Sequence, residues 1–184
     1  MKASHSWVIA VLVVACASLA AANLSLRHQV QRLTKKNGEL IAIQAPPVGS
    51  SVRAIVGYDL QDKPVRFEYS TSKDNSLFLL LSPTCEYCNT NWKYWRRLLA
   101  DIHGTQVVFG DASGRISPEY FSAVGIPVPD KVVKISLEMK IAYNLTTVPT
   151  TIVFGPKGEV LGTWVGVLDD ESVASVERLI GKKQ

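Results

Sequence analysis

Two cysteines, Cys85 and Cys88, stand two residues apart in the run Ser82-Pro83-Thr84-Cys85-Glu86-Tyr87-Cys88. Such a pair either helps to hold a metal ion or cycles between dithiol and disulfide. A structural zinc site wants four ligands, commonly a second C-x-x-C or a pair of histidines. The chain has three cysteines and three histidines in all. Cys16 is far away in sequence, and His5, His28 and His103 form no pair. The spacing therefore points to a redox dithiol that needs neither metal nor cofactor. If the pair opens a helix, Cys85 lies at or just before its first turn. There, unpaired N–H groups and the positive end of the helix dipole favour a thiolate. Cys88, one turn further in, should be the more buried of the two. The chemistry that follows is exchange. Cys85 attacks a disulfide to give a mixed disulfide, and Cys88 resolves it. Run backward, the same steps oxidise a dithiol.

The flanking elements must place that pair. Leu77-Phe78-Leu79-Leu80-Leu81 is apolar without alternation, as expected of a strand buried on both faces in the middle of a sheet. A helical pattern runs from Asn89 to Ile102. Cys88, Trp92, Trp95, Leu99 and Ile102 step by four, three, four and three, giving one apolar face, while Lys93, Arg96, Arg97 and Asp101 point elsewhere. The two tryptophans read as core packing against the sheet.

Further along, Val52–Val56, Pro64–Tyr69, Gln106–Gly110, Lys131–Ile135, Val148–Phe154 and Glu159–Val165 read as strands, the last two as a hairpin across Gly155-Pro156-Lys157-Gly158. Pro64–Tyr69 has one wet face, and Ser70–Ser76 is a polar loop. Ser117-Pro118-Glu119 starts a helix that Gly125 stops, Leu137–Tyr143 is a short helix, and Asp169 caps a last one that turns Val173, Val176 and Ile180 inward. The order is β-β-β-α-β-α-β-α-β-β-α. Strands separated by helices imply a parallel centre, and the closing hairpin adds antiparallel strands. The expected class is α/β, a three-layer α/β/α sandwich with a central mixed sheet.

Composition fits a folded protein: 47% hydrophobic and 20% charged over 184 residues, with a net charge of +4. The basic residues are scattered and form no continuous stripe, which speaks against nucleic acid as a partner. Residues 7–22 carry no charge, and extension to Leu26 gives about the length of one membrane-spanning helix. Residues 1–26 thus read as a transmembrane or signal segment. Three fates fit it: an uncleaved anchor, a signal peptide cut near Ala20-Ala21-Ala22, or a lipoprotein signal in which Val13-Val14-Ala15-Cys16 presents Cys16 for acylation. Arg27, Arg32, Lys35 and Lys36 follow the segment, although positive charge favours the cytoplasmic side. Residues 27–45 read as a juxtamembrane stalk. Leu26 at its border, with Val30, Leu33, Leu40 and Ile43 within it, forms an amphipathic face, interrupted at Asn37-Gly38 and ended by Pro46-Pro47. Residues 46–184 form the folded domain.

Two distant features now combine. The dithiol at a strand-to-helix turn is followed some sixty residues later by Thr147-Val148-Pro149-Thr150 at a strand start. Phe154-Gly155-Pro156-Lys157-Gly158-Glu159-Val160 and Gly166 come next. Over about residues 46–180 the chain resembles the thioredoxin superfamily, and more closely its membrane-anchored TlpA/ResA-type, redoxin-like branch. The resemblance implies a thioredoxin-like fold and a thiol–disulfide oxidoreductase. It also implies a cis peptide before Pro149, facing the dithiol, with the Val148 backbone offered to an incoming peptide that pairs like an added strand. Thr84, Glu86 and Tyr87 complete the candidate substrate-contacting set. Members of that branch are mostly reductants, single-pass in the cell membrane with the catalytic domain on the periplasmic side. Some serve cytochrome c maturation, so the implied partners are protein disulfides and an upstream membrane thiol donor. The chain departs from the pattern twice. Thr84 stands where the branch usually has Trp, and Leu79 stands where thioredoxin has a buried acid, leaving the proton acceptor for Cys88 unnamed. Glu86 adds negative charge beside Cys85 and should make the pair more reducing.

Two other classes compete. Ser82-x-x-Cys85 echoes the hydroxyl and cysteine of peroxiredoxin-like thiol peroxidases, but Phe78 replaces the proline expected four residues before the hydroxyl. A non-catalytic binding or metal-chaperone module on the same fold is the other. It would leave the intact C-x-x-C and Pro149 without a purpose, and no extra Met or His ligand lies nearby.

Overall fold

Beyond Ser76, the strand Ser76–Leu81 (β3) has no polar side chain, and all six of its residues are buried. It therefore sits inside a seven-stranded sheet, here in a computed structural model that describes residues 3–69, 74–100, 102 and 104–181. For residues 3–10, 12 and 34–44 only the backbone is described. The other strands are Ile55–Tyr58 (β1), Pro64–Phe67 (β2), Gln106–Asp111 (β4), Val132–Ile135 (β5), Thr150–Phe154 (β6) and Val160–Val165 (β7). Their spatial order is β2-β1-β5-β4-β3-β6-β7. The centre, β5-β4-β3, is parallel. The remaining pairings are antiparallel, so the sheet is mixed as expected.

Helices Ala3–Gln44 (α1), Glu86–Ala100 (α2), Pro118–Ala123 (α3), Leu137–Ala142 (α4) and Asp170–Leu179 (α5) complete the described elements. Alternation along β3 splits the core between the two faces of the sheet. Leu77, Leu79 and Leu81 join Trp92, Trp95 and Leu98 of α2, Phe121 of α3, and Val173 and Val176 of α5. Phe78 and Leu80 join Phe67, Tyr69 and Phe154, with Met139 of α4. Helices on both faces make the three layers.

Several boundaries differ from the sequence reading. The first strand starts at Ile55, not Val52. Residues 49–52 are instead held to the β6–β7 turn by Gly49 N–H to Val160 O (2.8 Å) and Val52 N–H to Gly158 O (2.9 Å). Helix α2 begins three residues before Asn89 and ends at Ala100, short of Ile102. Its buried face passes through Asn91 and Leu98 rather than Leu99. Helical spacing alone leaves that choice open; Leu98 is fully buried in the cluster on this face of the sheet, and Leu99 only packs against it. Ser117 stands at the start of α3, but its side chain makes no capping hydrogen bond. The capping by Asp169 is as read, its carboxylate accepting from Ser172 N–H at 2.8 Å.

The chain divides into two compact units, Met1–Leu40 and Ile41–Gln184. Helix α1 runs unbroken through Asn37-Gly38, so the interruption read there is absent. One glycine costs a helix about 1 kcal/mol relative to alanine, too little to break a long run of good helix formers. Every described side chain from Val11 to Leu33 is exposed. Among the described residues, no helix is long and apolar enough to cross a membrane. The side chains of Trp7–Ala10, with which the apolar run opens, lie outside them, as do those of Leu40 and Ile43. Ser70–Lys73 of the polar loop, and Asp101, lie outside them too.

Candidate active site

The carboxyl end of β3 delivers the chain into Ser82-Pro83-Thr84, a turn closed by Cys85 N–H to Ser82 O (3.1 Å). Proline fixes one dihedral there and donates no hydrogen bond, and the turn swings the backbone straight into α2. The first turn is built on Cys85, whose carbonyl accepts from the N–H groups of Cys88 (3.1 Å) and Asn89 (3.3 Å). Cys85 thus sits just before the helix and is half-buried, while Cys88 is 0% exposed. Both are free thiols, and the Cys88 N–H also donates to Cys85 Sγ at 3.3 Å.

The two sulfurs are inequivalent. Burial pushes the Cys88 thiol up to about 12, and the hydrogen bond it shares with Cys85 pushes the same way. The Ser82 backbone opposes them, its hydrogen bond favouring the thiolate. Cys88 therefore holds its proton near neutral pH, and Cys85 is the sulfur a partner can reach.

Across the site, the Val148–Pro149 peptide is cis. Val148 O accepts from Cys85 Sγ at 3.6 Å, so the two stretches identified in the sequence meet here. Pro149 is buried, and its carbonyl accepts from Gly166 N–H at 2.8 Å. The loop after β7 is thereby joined to the proline turn. A second tie comes from Asn91, fully buried in α2, whose Oδ1 accepts from Leu168 N–H at 2.8 Å. Its Nδ2 has no partner among the described residues. Thr84, Glu86 and Tyr87 are exposed around Cys85, Tyr87 at 67%. Thr84 Oγ1 lies 3.1 Å from Ser82 Oγ.

Leu79 is wholly buried and brings no carboxylate near Cys88. The buried acid at this end of the sheet is Asp111, paired with Leu81 in register. Its Oδ1 accepts from Ser113 N–H, Ser113 Oγ and Gly114 N–H, and its Oδ2 from Ile116 N–H, each at 2.8 Å. It folds its own loop. Behind the dithiol, Trp95 Nε1 donates to Thr151 Oγ1 (2.9 Å) and Trp92 Nε1 to Tyr120 Oη (2.8 Å).

Sequence reasoning passed over Asn91, Tyr120 and Thr151. Asn91 left a readable trace, a polar residue three positions after Cys88 inside an apolar helical stripe. Tyr120 and Thr151 left none, because their partners come from other elements. Among the described residues, no group of three or more His, Cys, Asp or Glu side chains is placed to hold a metal ion.

No family model matches the sequence, and no curated protein matches it. Solved structures do. The thioredoxin domain of a thiol-disulfide oxidoreductase from Bacteroides vulgatus aligns with a TM-score of 0.55 at 16% identity, covering 72% of this chain and 97% of its own. StoA from Bacillus subtilis aligns at 0.52 and 14%, covering 71% and 98%. A peroxiredoxin-like protein from Aquifex aeolicus aligns at 0.54 and 13%, covering 74% and 89%. At such identities the likeness establishes the fold, which is the thioredoxin fold.

Proposed function

We propose that this thioredoxin-fold chain is a thiol–disulfide oxidoreductase of the TlpA/ResA type, held at the cell membrane by residues 1–26 with residues 46–184 on the periplasmic side and residues 27–45 as a stalk. One observation carries the reading. Cys85 Sγ is partly open and 3.6 Å from Val148 O, while Cys88 is sealed one turn behind it. That is the asymmetry exchange requires, one sulfur to meet the partner and one to resolve it.

In the reductive direction Cys85 Sγ attacks a substrate disulfide, and the first substrate thiolate leaves. The peptide carrying the mixed disulfide lies along the Val148 backbone, which precedes β6, and pairs with it as a short added strand. Tyr87, Thr84 and Glu86 line its approach. Cys88 then attacks Cys85 Sγ, releasing the second substrate thiolate and leaving a Cys85–Cys88 disulfide that a membrane thiol donor re-reduces. Glu86 disfavours extra negative charge beside Cys85 and so favours the reductant role.

The peroxidase reading gains nothing from the site. Ser82 is buried and its hydroxyl is engaged with Thr84 Oγ1 and, at 3.4 Å, Thr84 N–H. It is not held ready for peroxide beside Cys85.

Insulin reduction tests the proposal. Cys85→Ser should abolish turnover, and Cys88→Ser should leave a mixed disulfide that can be trapped on Cys85. Full activity in both variants sinks it.

A further inference from the structure

We infer that Asn91 is a positioning residue: through its hydrogen bond to Leu168 it holds the proline turn in the register with Cys85 that a peptide disulfide needs in order to dock. This rests on the oxidoreductase reading, because it concerns how substrate meets Cys85.

The amide stands where local rules disfavour it. Asn91 follows Cys88 by three residues, on the buried face of α2 with Trp92, Trp95 and Leu98, and is 0% exposed. Burying an amide among apolar side chains costs free energy unless its atoms are paired. Here one end is paired and the other is not. Oδ1 accepts from Leu168 N–H at 2.8 Å, and Nδ2 has no partner among the described residues. An apolar side chain would fill the place without orphaning a donor. A position that breaks a local rule points to a task elsewhere in the molecule, and the single bond this amide makes says where that task lies.

The bond closes a ring. Leu168 belongs to the loop between β7 and α5 and is itself buried. Two residues earlier, Gly166 N–H donates to Pro149 O at 2.8 Å. Across the cis peptide, Val148 O accepts from Cys85 Sγ at 3.6 Å. Cys85 leads into α2, and α2 returns to Asn91. Helix, loop, proline turn and sulfur are thus joined by hydrogen bonds and short runs of backbone.

The loop needs a directed bond. Gly166 has φ +94°, a Cβ on it would meet nothing within 4 Å, and Val167 is exposed, so the outer side of the loop is open. Burial of the Leu168 side chain sets how deep the loop lies. Apolar burial has no preferred direction, whereas a hydrogen bond does, and the bond from Asn91 fixes the Leu168 backbone. The other ties nearby act elsewhere. Trp95 Nε1 to Thr151 Oγ1 (2.9 Å) holds α2 against β6, and Thr150 Oγ1 to Thr147 O (2.7 Å) closes the turn on itself. Neither reaches the Pro149 carbonyl.

A consequence for substrate choice follows. A peptide that pairs along Val148 needs the proline turn and Cys85 in register at once. A small disulfide needs only the sulfur. Asn91 therefore supports a preference for peptide disulfides over small ones.

The test measures single-turnover rates of the reduced full chain with a peptide containing one disulfide and with hydroxyethyl disulfide, and takes their ratio. Asn91→Ala should lower the ratio about 10-fold, the scale of one lost hydrogen bond. Asn91→Leu, which fills the space without an acceptor, should lower it too. Asn91→Asp keeps the acceptor and should hold the ratio near the wild-type value, whatever its charge does to both rates together. An unchanged ratio in Asn91→Ala overturns the inference. So does a ratio lost in Asn91→Asp as fully as in Asn91→Ala. Equal slowing with both disulfides marks a packing defect and overturns it as well. Should neither Asn91→Ala nor Asn91→Leu fold, amide exchange in the wild-type chain decides. The Gly166 and Leu168 amides should open together with the first turns of α2, and exchange of either at the rate of a free loop overturns the inference. If the wild-type chain reduces neither disulfide, the oxidoreductase reading has failed instead.

Discussion

Cys88 shows how far one buried position shapes the chemistry. Its thiol is pushed up to about 12 from an ordinary 9.0, chiefly by burial. The consequence for stability has a definite sign. Below pH 9 the thiol is protonated in both the folded and the unfolded chain, and pH changes nothing through it. Between 9 and about 12 the folded state keeps a proton the unfolded state has lost, so stability falls as pH rises. The reduced protein should therefore lose on the order of 1 kcal/mol between pH 7 and 10 that Cys88→Ala does not lose. Denaturant midpoints under reducing conditions measure this. Tyr69 and Tyr120 are also raised, chiefly by burial, and add to the alkaline loss; both remain in the variant, so the part due to burial cancels in the comparison. Parallel pH curves for the two proteins would contradict the assignment of Cys88 as a sealed thiol.

At the scale of elements, the site is assembled where three of them are tied together: α2 through Cys85 to Val148, the proline turn through Pro149 to Gly166, and α2 again through Asn91 to Leu168. The far edge of the sheet is held differently. Strand β1 meets β5 through only two residue pairs, Gly57 with Ile135 and Tyr58 with Lys134. A Cβ on Gly57 would collide with the Lys134 carbonyl oxygen, a backbone atom of the partner strand. Gly57→Ala should cost about 1–3 kcal/mol, the usual range for overpacking. It should speed amide exchange in β1 and β2 while β3 and β6, which carry the dithiol and the proline turn, stay protected. Uniform loosening would show that the edge and the site are one cooperative unit. Much of this architecture was legible in the chain. The unbroken apolar run of β3 marks a central strand, and the alternation of strands and helices gives the element order. What was not legible comes from pairing between distant segments. The start of β1 depends on how residues 49–52 bind the β6–β7 turn, and the choice of Leu98 over Leu99 depends on which side of α2 the core covers. Thr151 matters only because Trp95 reaches it across 56 positions. Local spacing carries no record of such partners, whereas the C-x-x-C pair and Pro149 are local signals and were readable.

For the whole molecule, the question is what covers the apolar part of α1. In the folded domain, Trp92, Trp95 and Leu98 of α2 and Val173 and Val176 of α5 are buried. In α1, Val13, Val14, Leu19, Leu24 and Leu26 are all more than half exposed. Residues 7–26 at 1.5 Å per residue span about 30 Å, the thickness of a bilayer's hydrocarbon core. A lipid environment would bury that surface, and it supports the anchor reading over a free helix in water. Expressed in a bacterial host, the full chain should sediment with membranes and resist alkaline extraction. Alkaline phosphatase fused after Gln184 should be active, because that enzyme forms its own disulfides only outside the cytoplasm. The mass of the extracted protein then separates the three fates of the segment: intact for an anchor, starting near Asn23 for a cleaved signal, or starting at an acylated Cys16 and shifted by Cys16→Ser for a lipoprotein. A soluble chain carrying an inactive phosphatase would place the dithiol in the cytoplasm and remove the envelope from the proposal, while leaving the exchange chemistry at Cys85 and Cys88 to stand on its own test.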